Sequence, residues 1–154
     1  MLKIFEIFEF YHQKKIIDYL INLDLKTIID VGTHKGDFLK KILKLHTINK
    51  IHCFEPQKKI FKILSSNFLK NNKVILNNNA LDITNGEKII KINKETTTST
   101  LSIINVNSFW YKLKNLILLT KNSYINESKI ITVKLDDYFT SKNISSIDLL
   151  KIDT

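Results

Sequence analysis

Ile28-Ile29-Asp30-Val31-Gly32-Thr33-His34-Lys35-Gly36-Asp37 is an apolar run that breaks on two glycines, and Cys53-Phe54-Glu55-Pro56 answers it downstream. The first segment reads as a strand buried on both faces that ends in a tight loop. The second, one crossover later, ends in a carboxylate. In doubly wound sheets this pairing serves a nucleotide, the loop approaching its charged end and the acid its ribose hydroxyls. The spacing here is D-x-G-x-x-x-G, not the G-x-G-x-x-G that seats a pyrophosphate. The expected ligand is therefore a nucleoside rather than a dinucleotide.

Working outward, the same alternation repeats. Strands are expected at 27–31, 50–55, 74–76 and 147–153, with a helix over Lys35 to Leu45 and another after Pro56 through Ile60, Phe61, Ile63, Leu64, Phe68 and Leu69. This predicts an α/β fold of Rossmann-like type, a partial doubly wound parallel sheet with the strand order third, second, first, last. Residues 1–26 read as a helical cap that buries Ile4, Phe8, Tyr11, Ile16, Tyr19 and Leu20, followed by the Rossmann-like portion 27–154 of one domain. After Asp82 the pattern changes. Asn85-Gly86 is a turn signal beside Lys88 to Ile92, which predicts a small antiparallel excursion. A polar loop over Thr96 to Ser102, a helix over 109–119, a strand over Lys129 to Leu135 and a short helix opening at Asp136 complete the reading.

Composition narrows the function classes. The net charge is +9, yet all 24 basic residues are lysine. A reader of specific nucleic acid uses the bidentate fork of arginine, so no nucleic-acid partner is expected. Ile, Lys and Asn make up 66 of 154 residues, which attributes the basicity to the compositional bias of an AT-rich genome. The lone Cys53 excludes an internal disulfide, and His12, His46 and His52 lack ligand spacing, so no metal site is expected. The opening ten residues carry Glu6 and Glu9 and lack a cleavage site, and no apolar run reaches the length of a membrane span. A cytoplasmic protein is the expectation.

Five segments, taken in order, carry a resemblance. Asp30 to Gly36, Phe54-Glu55-Pro56, Asn79-Ala80-Leu81, Val133-Lys134-Leu135-Asp136-Asp137 and Asp148 to Asp153 resemble the FkbM-type methyltransferases from about Thr27 to the terminus. The resemblance implies a class I fold, S-adenosyl-L-methionine as cofactor, and O-methylation of a sugar-like or natural-product hydroxyl, so that the partner is a small-molecule or glycan acceptor. Members of that family continue the L-K-I-D strand into an E-G-Y-E-like segment and further strands, whereas here Thr154 alone follows Asp153. The chain is thus expected to be an amino-terminal portion. Alone, it is expected to bind cofactor weakly or not at all, to transfer no methyl group, and to self-associate through an exposed sheet edge.

The residue roles follow from chemistry. Gly32 and Gly36, with Thr33 and His34 between them, let backbone approach the ligand, and the helix beginning after Gly36 offers amides to the methionine carboxylate. Asp30 either orients that loop or accepts from the ligand amino group. Glu55, beside Pro56, either grips two ribose hydroxyls or is a solvated strand-end acid. Asn79 and Ala80 either read the adenine or form a plain turn. His34 serves as a loop residue through its backbone or as a base. Asp153 either positions an acceptor hydroxyl, takes its proton, or faces water. Two rival classes stay open: a nicotinamide-dependent oxidoreductase and a non-catalytic interaction module.

Overall fold

The computed structural model describes residues 15–45, 47–93, 99–100 and 124–153. Four parallel strands form the main sheet: β1 (Thr27–Val31), β2 (Lys50–Phe54), β3 (Val74–Asn77) and β8 (Leu149–Ile152), in the order β3-β2-β1-β8. Register pairs Asp30 with Cys53 on one side and with Lys151 on the other. The order is the one expected. β1 is central and almost wholly buried, as its unbroken apolar run requires.

Helices cover both faces. Alternate residues of β1 point to opposite sides, so Ile28 packs with Leu39 and Ile42 of α2 (Asp37–Ile42) and with Leu64 and Phe68 of α3 (Lys58–Phe68). Ile29 and Val31 instead meet Phe54 and Tyr138, the latter from α4 (Leu135–Lys142). The chain thus winds to one side of β1 through α2 and α3, then returns to its other side through α4 and β8. The strand order reverses between β1 and β8, and a doubly wound sheet opens its ligand crevice at such a point.

Several boundaries and faces differ from expectation. Helix α1, residues 15–20, buries Ile17 and Leu20 and leaves Ile16 and Tyr19 exposed, so its inner face is turned from the one predicted; Ile4, Phe8 and Tyr11 lie outside the described residues. Helix α2 starts at Asp37 because Gly36 is left-handed, and α3 starts after Gln57, with Pro56 just outside it. Strand β8 is not buried on both faces. Leu150 and Ile152, in register with Ile29 and Val31, are exposed, so that face of β8 is left open among the described residues.

The excursion is a second sheet of β4 (Ala80–Leu81), β5 (Gly86–Asn93), β6 (Ser99–Thr100) and β7 (Tyr124–Val133), ordered β4-β7-β5-β6. It is antiparallel between β5 and β7, as expected in kind, but Asn85-Gly86 is not a hairpin turn. β4 and β5 both flank β7, so the intervening residues bridge across it. The Asn85 side chain accepts from the Lys134 amide at 2.7 Å and donates to Asp137, clipping the excursion to the start of α4. Ser99 and Thr100 of the expected polar loop are in β6; the rest of that loop and the 109–119 helix lie outside the described residues. Among the described residues no helix is long and apolar enough to cross a membrane, and no group of three or more His, Cys, Asp or Glu could hold a metal ion.

One polar pair lies in the core on the α4 side. His52 Nδ1 and the Tyr138 hydroxyl share a 2.8 Å hydrogen bond, and the Tyr138 ring meets Phe54 edge-on at 4.9 Å. Burial holds His52 below its usual pKa near 6.5, and Lys142 and Lys50 act in the same direction. Neutral His52 therefore contributes its full stability above that ordinary value, and the contribution is lost as pH falls through the lowered folded value. In urea unfolding, the advantage of the wild type over His52→Gln should shrink as pH falls from about 7 to about 5. An advantage constant with pH would contradict this account.

Candidate functional site

The loop between β1 and α2 is stitched to the tip of β2. The amides of Gly32 and Thr33 both donate to the Phe54 carbonyl, at 2.9 and 3.0 Å, and the Thr33 hydroxyl donates to the Asp30 carbonyl at 2.9 Å. His34 takes a left-handed φ of 53° and donates its amide to Glu55 Oε2 at 3.0 Å, so its backbone shapes the loop. The Gly36 amide returns to the Thr33 carbonyl at 3.0 Å.

The two glycines are required by packing within the protein itself. A Cβ on Gly32, whose φ is +74°, would stand 1.9 Å from the Asp153 carbonyl oxygen, and one on Gly36, at φ +90°, would stand 2.4 Å from the Phe68 ring. The protein itself fills both spaces. Gly32 lets β8 close against the loop, and Gly36 lets α2 close against α3. The start of α2, the expected seat for a carboxylate, is short and acidic. That helix has six residues and carries the acid Asp37 in its first turn, which repels an anion there.

Glu55 is no solvated acid. Its residue is 3 % exposed; Oε2 accepts from His34 and Oε1 accepts from the Gln57 amide at 2.8 Å. Burial pushes its carboxyl above the usual range, while the Gln57 and His34 amides pull it back. A carboxylate has about four acceptor positions, so two amides do not exhaust it. Asn78 clamps the same tip from β3, donating to the Glu55 carbonyl at 2.8 Å and to the Pro56 carbonyl at 3.2 Å. Asn79 follows it, half-buried, and Ala80 opens β4 in register with Thr132.

At the other side of β1, Asp30 is fully buried. Its Oδ1 receives Lys151 Nζ at 2.8 Å, and its Oδ2 has no partner. Burial raises the Asp30 carboxyl above its usual range against the opposing charge of Lys151. Asp153 pairs with the same ammonium at 3.6 Å, its side chain 70 % exposed, while its amide donates to the Val31 carbonyl at 3.0 Å. Gly32, Glu55 and Asp153 thus meet at the carboxyl ends of β2, β1 and β8, as the spacing predicted. Lys151 was missed by the sequence reading. A lysine and an aspartate inside two apolar strands expected side by side were the available signal, since opposite charges in register pair across a sheet.

The parallel sheet, with its order reversing at β1 and helices on both faces, defines a Rossmann-like α/β protein whose glycine loop and acidic strand tip share one end. Residues 30–154 match the profile of the methyltransferase FkbM domain, and the chain belongs to that family. A solved methyltransferase FkbM from Methylobacillus flagellatus KT is 11% identical, covering 85% of this chain and 26% of its own, at a TM-score of 0.49. A putative rRNA-methylase from Clostridium thermocellum is 15% identical over 44% of this chain and 39% of its own, at 0.38. The methyltransferase domain of bacterial CtHen1-C is 15% identical over 43% and 37%, also at 0.38. The chain therefore spans well under half the length of these solved methyltransferases. No curated protein matches it.

Gly32→Ala should lower unfolding free energy by about 2–4 kcal/mol, combining a left-handed backbone with a backbone clash. Gly86→Ala, with φ +148° but open space around it, should cost about 1 kcal/mol. Urea titration of both variants checks the ranking, and equal losses would show that the Asp153 carbonyl does not constrain position 32.

Proposed function

We propose that this chain is the cofactor-binding portion of an S-adenosyl-L-methionine-dependent methyltransferase whose whole form methylates a hydroxyl on a sugar-like or natural-product acceptor. The observation that carries the reading is Glu55, a carboxylate at the tip of β2 tied directly to the glycine loop beside the switch point of the sheet. Membership of the FkbM family supports the reaction class.

The donor set fits the proposed cofactor. Glu55 keeps acceptor positions for ribose hydroxyls, and the unpartnered Asp30 Oδ2 is an acceptor suited to the amino group. Asn79 and Ala80, next to the Asn78 clamp, supply a side-chain amide and a backbone group for the adenine edge. Asp30 and Asp153 flank one ammonium, and Glu55 adds a third carboxylate at the neighbouring strand tip, an acidic balance that favours a cationic ligand and disfavours one bearing a pyrophosphate. When bound, S-adenosylmethionine supplies a methyl group on a positively charged sulfur.

What remains for the chain is placement. Asp153, exposed at the tip of β8, orients an acceptor hydroxyl or receives its proton at the carboxylate. The larger share of such catalysis comes from holding the reacting groups in line. Loop and strand tips cross-linked through Glu55 suit that task.

Ligand-detected NMR with S-adenosylhomocysteine, which registers weak binding, tests the reading against NAD on the same chain. Saturation transfer to the adenine and ribose protons of S-adenosylhomocysteine, and none to NAD, is the expected result. Glu55→Gln should weaken the interaction by about tenfold or more, as for loss of a charge-assisted acceptor. Transfer to NAD alone would overturn the cofactor reading and move the chain to the oxidoreductases.

A further inference from the structure

Lys151 touches β1, α2 and the residue that follows β8. Its ammonium is 2.8 Å from Asp30 Oδ1 on β1 and 3.6 Å from Asp153 Oδ2 beyond β8. It also lies over the Phe38 ring of α2, 5.2 Å from the centroid. The two carboxylates differ in kind. Asp30 is fully buried and holds the lysine at hydrogen-bond distance, whereas the Asp153 side chain is largely exposed. The Asp153 backbone is already fixed, by its amide to Val31 and by its carbonyl against Gly32. Only its side chain is left to orient, and the Lys151 ammonium faces it at 3.6 Å.

We propose that Lys151 is a positioning residue: anchored by Asp30, its ammonium fixes the Asp153 carboxylate in one orientation at the tips of β1 and β8, where the acceptor hydroxyl enters. The functional part of this assignment rests on the methyltransferase reading above; the geometric part does not. An exposed ion pair adds little stability, so the Lys151–Asp153 contact can bias the Asp153 rotamer only because Asp30 already holds the ammonium in place. The Asp30–Lys151 pair does the anchoring, because a buried carboxylate retains its partner cation strongly.

The test is the three-bond coupling about χ1 of Asp153, measured by NMR on the whole chain. The wild type should show one dominant rotamer, at roughly nine-tenths population, and Lys151→Met should reduce it to about half. Because a lone Asp30 left buried could unfold that variant, Asp30→Asn with Lys151→Met removes the stranded charge and should fold while still releasing Asp153. Lys151→Arg should restore the single rotamer. A folded double variant that keeps the wild-type coupling, or a wild type already averaged, would overturn the proposal. Ligand-detected NMR with S-adenosylhomocysteine is scored separately. Saturation transfer to NAD in its place would sink the methyl-donor reading, leaving the couplings to decide the role of Lys151.

Discussion

The carboxylate of Glu55 holds the site end of this fold together. Each oxygen accepts one backbone amide, from His34 in the glycine loop and from Gln57 at the start of α3, so one side chain joins two connections that follow neighbouring strands. Amides in this position have no strand partner of their own, and leaving them unmet in a buried setting costs about 1–3 kcal/mol each. The left-handed turn at His34 and the entry to α3 both depend on this acceptor. A polar residue buried against hydrophobic neighbours is thus explained by what it ties down.

Around that clasp the strand tips are occupied largely by one another. The Phe54 carbonyl takes two loop amides, Asn78 takes the Glu55 carbonyl, and the Asp153 carbonyl fills the space above Gly32. Such mutual satisfaction produces a preorganised surface rather than a loose one. A ligand arriving there meets groups that are already fixed, which lowers the ordering cost of binding.

Much of the fold was legible because its strands are short continuous apolar runs separated by helical periodicity, and such runs imply parallel order. The failures have physical causes. Ile16 and Ile17 are adjacent, and periodicity alone cannot say which of two neighbours faces inward. Leu149-Leu150-Lys151-Ile152 reads as a buried run, but burying successive residues needs cover on both faces of the sheet, and the face that carries Leu150 and Ile152 is open among the described residues. Asn85-Gly86 has the residues of a tight turn, yet β7, far along the chain, inserts between the strands it would have joined. At the site, sequence placed the residues but not their work. The atoms that demand glycine at 32 and 36 belong to Asp153 and Phe68, distant in sequence, and the amides that occupy Glu55 leave no mark in residue type.

The neighbours of the two loop glycines also differ in a way that sets how each could be repaired genetically. At Gly36 the obstruction is made of side chains, Phe68 and Leu64, so trimming Phe68 on α3 would relieve part of the clash of a Cβ while the left-handed backbone strain stays. At Gly32 the obstruction is a main-chain carbonyl, which every amino acid at position 153 carries. No exchange of the residue at 153 relieves it, and only a shift of β8 itself would. A change at 68 can therefore soften a substitution at 36 without removing its cost, whereas position 32 is tied to the path of a strand and has no single-residue partner that could soften it.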